Sequence, residues 1–161
     1  MFTVKTRMSD PEYFEKLKKN IKKLREKKVV AGFPKGKLNA PHYENSDKAD
    51  KPSIIDVAIW NNFGIGVPRR DFMTPSSKRW NEKIQEYVDE LGTDLVDGKI
   101  DADKFLDFIG QIGAEIISDE IIKLDTPPNA PETIARKKSS NPLVDTGDMA
   151  RAPRWEIRNS V

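Results

Sequence analysis

Apolar residues recur at Tyr13, Phe14, Leu17, Ile21 and Leu24, three or four positions apart, and draw one stripe along a helix. Ser9 or Asp10 can cap this helix and Pro11 suits its first turn. Lysines and arginines from Lys16 to Lys28 fill the other faces, and those near the end are favoured by the helix dipole. Val29 to Phe33 then reads as a short strand ended by Pro34. Ser53, with Asp56 three residues on, opens a second helix through a variant of the capping box. Ile54, Ile55, Val57, Ala58, Ile59 and Trp60 are apolar on nearly every side, which predicts deep burial. Gly64 stops that helix.

Two longer amphipathic helices follow. One runs from Ser76 to Val96 with Trp80, Ile84, Tyr87, Val88, Leu91 and Leu95 on one side, and Gly98 ends it. The next is capped by Asp101 and runs to Leu124 along Phe105, Ile109, Ile112 and Ile116, widened by Phe108, Ile117 and Ile121. Gly110 and Gly113 each cost about 1 kcal/mol in a helix interior; they read either as a close crossing or as simple tolerance. Thr126 to Pro131 breaks the helix, Glu132 to Lys138 holds one or two helical turns, and Ser139 to Pro142 is loop. Leu143 to Met149 is a turn or short helix, and Arg154 to Asn159 a final strand. The stretch 35–52, rich in Lys, Asn, Asp, Gly and Pro, reads as a long flexible loop or an irregular hairpin. Ile65 to Asp71 is a turn-rich connection carrying Arg69 and Arg70.

Composition narrows the chemistry. The 161 residues suit one domain with its own core. There is no cysteine, which removes disulfides and thiolate chemistry, and His42 is the sole histidine. The net charge of +2 does not mark a dedicated nucleic-acid binder. No apolar run approaches the roughly 20 residues that span a bilayer, and Met1 to Met8 lacks the apolar core of a signal peptide, so a cytoplasmic start and no membrane partner are expected.

Leu143-Val144-Asp145-Thr146-Gly147 resembles the active-site loop of an aspartic protease. That chemistry needs two such aspartates sharing a proton. There is no second Asp-Thr-Gly, and Asp148 to Val161 is too short to build the rest of a lobe. A capped turn made by Asp145 and Thr146, with Gly147 permitting it, is the better account. Asp94, Asp97, Asp101 and Asp103 gather at a helix junction, but their spacing is not that of a calcium loop, and capping suits them better. His42 has no visible nucleophile to serve, and no phosphate-binding or dinucleotide loop is present. No catalytic, metal or cofactor site is expected. Lys19, Lys22 and Lys23, with Arg69 and Arg70, are the candidate contacts to DNA or to a partner; the alternatives are a solvated helix face and an ordinary exposed turn. Trp60 and Trp80 fall in apolar helical stripes and read as core; Trp155 is core or interface.

Three segments resemble one phage family. Val57-Ala58-Ile59-Trp60-Asn61-Asn62-Phe63-Gly64 is similar to its helix end V-A-x-x-N-E-F-G, with Asn62 where Glu is usual. Val67-Pro68-Arg69-Arg70-Asp71-Phe72-Met73 is similar to I-P-x-R-P-F-[LM], with Asp71 where proline is common. Pro127-Pro128-Asn129-Ala130-Pro131, then Thr133 to Lys137, then Asn141-Pro142-Leu143-Val144-Asp145-Thr146-Gly147-Asp148-Met149 is similar to PPNAPxTIxxK…PLxDTGxM. In this order they resemble the neck and tail-completion (head–tail joining) proteins of tailed bacteriophages. The ending differs: Arg151 to Arg158 carries Pro153 where the family has a regular strand.

The resemblance implies a small sheet flanked by helices. With the elements above, the expectation is a single α+β domain over 1–161, its small and mostly antiparallel sheet flanked by three to four helices. The resemblance brings no catalytic residues. It implies a structural virion protein, assembling first in the host cytoplasm, whose partners are copies of itself in a ring or partial ring and other neck, connector and tail proteins, with possible contact to packaged DNA. Its motif residues here are Asn61, Phe63, Gly64, Pro68, Arg70 and Phe72, then Pro128, Asn129, Pro131, Pro142, Leu143, Asp145, Thr146, Gly147 and Met149. They are expected to act as backbone devices, with Phe63 and Phe72 as buried anchors. The alternative is a small DNA-binding module using the lysine-rich first helix.

Overall fold

The computed structural model describes residues 11–34 and 52–160. His42, the Ser9 or Asp10 cap and nearly all of the 35–52 loop lie outside them. In chain order the elements are α1 (Pro11–Glu26), β1 (Lys27–Gly32), α2 (Ile54–Phe63), α3 (Met73–Val96), α4 (Ala102–Lys123), α5 (Pro131–Lys137), α6 (Asp148–Arg151) and β2 (Arg154–Asn159). The two strands form one antiparallel pair, Lys27 opposite Asn159 and Gly32 opposite Arg154. The fold is α+β, as expected; four helices are its main elements, and α5 and α6 are short additions.

α4 is the central element because its apolar stripe is wide enough to bury two sides at once. Phe105, Leu106, Ile109, Ile116, Ile117 and Ile121 are all buried. α4 packs against both the β-ribbon and α3, which adjoin at Gly113. The ribbon comes close because of the two glycines: a Cβ on Gly110 would stand 2.4 Å from Trp155 Cδ1 and 2.7 Å from Val29 Cγ2. One on Gly113 would stand 2.6 Å from the Trp80 ring and 2.9 Å from Ala31 Cβ. Close crossing is therefore the account of both glycines, and the Trp80 indole N–H completes it by donating to Ile109 O at 2.9 Å. Beyond Gly113 the core continues through Ala58, Phe72, Ile117, Ile121, Leu143 and Met149, which pack as one cluster.

Several expectations need correction. β1 begins at Lys27, two residues before the apolar run, because its pairing with β2 starts there. α3 begins at Met73 rather than Ser76, since Asp71 Oδ1 accepts from Thr74 N at 3.0 Å and Asn62 Oδ1 accepts from Met73 N at 3.1 Å. These two side chains cap the helix, and Pro75 sits in a first turn where its missing N–H costs nothing. Along α1 the fully buried residue is Asn20, not a member of the apolar stripe, and Ile21 is exposed. Asn20 Nδ2 donates to Leu95 O (3.0 Å) and Ile100 O (3.2 Å), and its Oδ1 accepts from Ala102 N (3.2 Å). It thereby satisfies the backbone of the α3–α4 turn, a task no apolar side chain can do. The largest correction concerns α2. It was expected to be deeply buried, yet only Ala58 and Asn62 are; Trp60 is exposed rather than core.

Candidate interaction surface

The three segments that resemble the phage family meet at one residue. Arg70 is buried. Its Nε donates to Pro127 O at 3.0 Å, its Nη1 to Asn61 Oδ1 at 2.9 Å, and its Nη2 to Pro128 O at 3.3 Å and Asn129 Oδ1 at 3.1 Å. The backbone N–H of Arg70 also donates to Asn61 O at 2.7 Å. Every acceptor is neutral, and burial pulls the guanidinium below its ordinary pKa. Gly64 makes the approach possible. It ends α2 at φ +75°, and a Cβ there would meet Arg69 Cβ at 2.9 Å.

From Asn129 the network runs on. Asn129 Nδ2 donates to Asn141 O at 3.3 Å, and the half-buried Lys137 donates to the same oxygen at 3.2 Å. Burial pushes the Lys137 ammonium down from its usual value. Asn141 Nδ2 donates to Ile122 O at the end of α4, and its Oδ1 accepts from Leu143 N and Val144 N at 2.9 and 2.8 Å. Leu143 and Met149 are thus delivered into the core beside Phe72. Asn129 and Asn141 thus fasten distant stretches of backbone to one another. The expectation differs at Asp145: the turn is tied by Thr146 and Asp148, with Arg151 donating to Thr146 O at 2.9 Å and Asp148 Oδ1 at 2.8 Å, and Gly147 takes φ +82°. Asp145 itself is exposed.

The knot holds up an unusual surface. Residues 57–68 contain no charge, in a chain that is 34% charged. Ile59, Trp60, Phe63, Ile65 and Val67 are all exposed, five of the eleven exposed large apolar residues among those described. Phe63, expected as a buried anchor, is 66% exposed, whereas Phe72 is buried as expected. The same stretch borders a shallow apolar groove of about 350 Å³ floored by Phe33, Ala58, Phe72 and Met73. Phe33 and Phe72 meet edge to face there, with ring centres 6.1 Å apart. Sequence reasoning missed this surface. Its signal was the uncharged run itself, which reads alike for a buried helix and for an interface helix.

No protein-family model, curated protein or solved structure matches the chain.

The remaining candidates lie apart. Arg69 is exposed and pairs with Asp71 at 2.5 Å, while Arg70 is fully engaged within the chain. Lys23 bridges Asp101 and Asp103 at 2.9 and 2.7 Å, and only Lys19 and Lys22 of the three lysines are exposed. Of the aspartates at the junction, Asp101 caps α4 by accepting from Asp103 N, whereas Asp103 takes Lys23 and Lys27 and Asp94 takes Lys99. Among the described residues no group of three His, Cys, Asp or Glu is placed to hold a metal ion, and no helix is long and apolar enough to cross a membrane.

Proposed function

We propose that this chain is a structural virion protein that completes the head–tail junction, or the proximal end of the tail, of a tailed phage. The observation that carries this reading is the meeting of the three family-like segments at Arg70, directly beneath the uncharged, apolar end of α2. Proteins that work by shape need a rigid support and a surface to offer, and such an exposed apolar patch is the usual mark of a protein–protein contact. Its work is assembly, not catalysis, and Asp145 belongs to a turn, not to an active site.

The test is co-purification of the tagged full chain with connector and tail proteins from cells assembling the phage particle. Recovery of these partners is expected, and Phe63→Ser with Trp60→Ser should cut it by at least about tenfold, as removal of central aromatic anchors does. Circular dichroism should show the variant still folded, since both side chains are exposed. Recovery of no capsid or tail protein, or a peptidase activity that Asp145→Ala abolishes, would overturn the proposal. A DNA-binding module on α1 is the second reading. It is favoured by the exposure of Lys19 and Lys22 and opposed by the internal engagement of Lys23 and Arg70.

A further inference from the structure

Two further faces of the molecule match each other in charge and in apolar content. On α1, Lys18, Ile21, Lys22 and Arg25 share one face at three- and four-residue spacing. Ile21 is 47% exposed at its centre. Arg25 and the adjacent Lys19 have no ion pair among the described residues. The bonds of the others are weak surface contacts, Lys18 to Glu15 at 3.0 Å and Lys22 to Glu26 at 3.8 Å.

The second face is a groove of about 500 Å³ between α3 and α4. Its floor is apolar, from Tyr87, Ile112 and Ile116, and its rim carries Glu82, Glu86 and Glu115. Arg79, also on the rim, is already held by Asp119 and Glu120, so it does not neutralise Glu82 or Glu115. Lys83 pairs with Glu86 at 2.5 Å, which leaves Glu82 and Glu115 as the rim carboxylates without an ion pair among the described residues. The groove therefore offers carboxylates around an apolar strip, and the α1 face offers cations around an apolar side chain.

The two cannot meet within one copy. α1 is fixed to the other end of the α3–α4 hairpin, through Asn20 on Leu95 O and Ile100 O and through Lys23 on Asp101 and Asp103. Glu86 lies nine residues before Leu95, about 14 Å along the helix. We infer that the basic face of α1 docks in the acidic groove between α3 and α4 of a second copy of this chain. This rests on the reading of the chain as an assembly subunit, and it supplies the contact between copies; the apolar end of α2 is left for the other proteins of the particle.

Sedimentation of the full chain tests it. Self-association is expected at low ionic strength and should weaken about tenfold or more between about 50 and 500 mM salt, because the paired charges lie at an accessible rim. The triple variant Lys19→Glu, Lys22→Glu, Arg25→Glu should be monomeric, and so should Glu82→Lys, Glu86→Lys, Glu115→Lys. An equimolar mixture of the two should associate again, which loss of folding cannot produce. A wild-type chain that stays monomeric at low salt, association that survives either triple variant, or a mixture that stays monomeric would overturn the inference. So would salt-sensitive DNA binding by α1 without self-association. Co-purification with connector and tail proteins is scored separately: its persistence in monomeric triple variants is expected, and its absence from the wild-type chain counts against the assembly role, not against this contact.

Discussion

At Arg70 a cation sits inside the protein among four oxygens, all of them neutral. Its planar fork places donors on three separate nitrogens, whereas the three donors of a lysine ammonium all leave one atom and cannot span the four acceptors. Arg70→Lys keeps the charge and loses the fork. It should cost about 2–4 kcal/mol, because buried acceptors are left without donors, and lower the melting temperature by roughly 5–15 °C for a chain of this size. Thermal unfolding followed by circular dichroism measures this, and an unchanged midpoint would mean that the knot holds nothing together. Arg70 and Asn20 were the residues least legible in the sequence. Each is polar, each sits where local pattern predicts exposure, and each is buried because most of its side-chain partners lie 57 to 82 residues away. Asp101 and Ser53 were legible because a cap acts on its own neighbours: Ser53 Oγ accepts from Asp56 N, and the Ser53 backbone N–H donates to the Asp56 carboxylate in return.

Two glycines in helices give opposite expectations, and the difference is what packs against each helix. Gly110 lies under the β-ribbon, where a Cβ would strike Trp155 and Val29; Gly92 in α3 has nothing within 4 Å. Gly92→Ala should stabilise the chain by about 0.5–1 kcal/mol through reduced freedom of the unfolded chain. Gly110→Ala should destabilise it by about 1–2 kcal/mol, the overpacking outweighing the same gain. Paired urea titrations of the two variants measure the sign, and stabilisation by both would mean that the ribbon does not press on α4. The order and type of the elements were legible because periodicity, caps and glycine stops are local. The exposure of α2 was not. A helix apolar on all sides is normally buried, but here the neighbours cover only the side of Ala58 and Asn62. The start of α3 was missed for a related reason: one of its caps, Asn62, comes from the preceding helix.

Across the whole molecule, α1 is joined to the rest by a set of polar contacts beside its half-buried apolar stripe. Lys23 pairs with Asp101 and Asp103, Lys27 pairs with Asp103 at 2.6 Å, and Asn20 reaches the α3–α4 turn. Hydrogen bonds from Lys23, then from the Asp103 amide, hold the Asp101 carboxyl below its usual value. Lys23 and then Lys27 do the same for Asp103, and the two carboxylates raise Lys23. A carboxyl whose pKa is depressed by folding adds stability above its unfolded value and loses it as pH falls through the folded value. Lys23, raised by folding, adds stability below its ordinary value and loses it as pH rises through its folded one. The attachment of α1 should therefore be constant through neutral pH, weaken below about pH 4, and weaken again above about pH 10.5. Asp56, Asp71 and Asp119 are also held low, so acid weakens other parts of the fold as well. Lys23→Met isolates the contribution of α1. Its melting temperature should fall at pH 7, and its further loss between about pH 5 and 3 should be smaller than that of the wild-type chain, because part of the acid-sensitive term is already gone. Melting curves of both proteins across that range decide it: parallel acid profiles would mean that the ion pairs do not hold α1 in place.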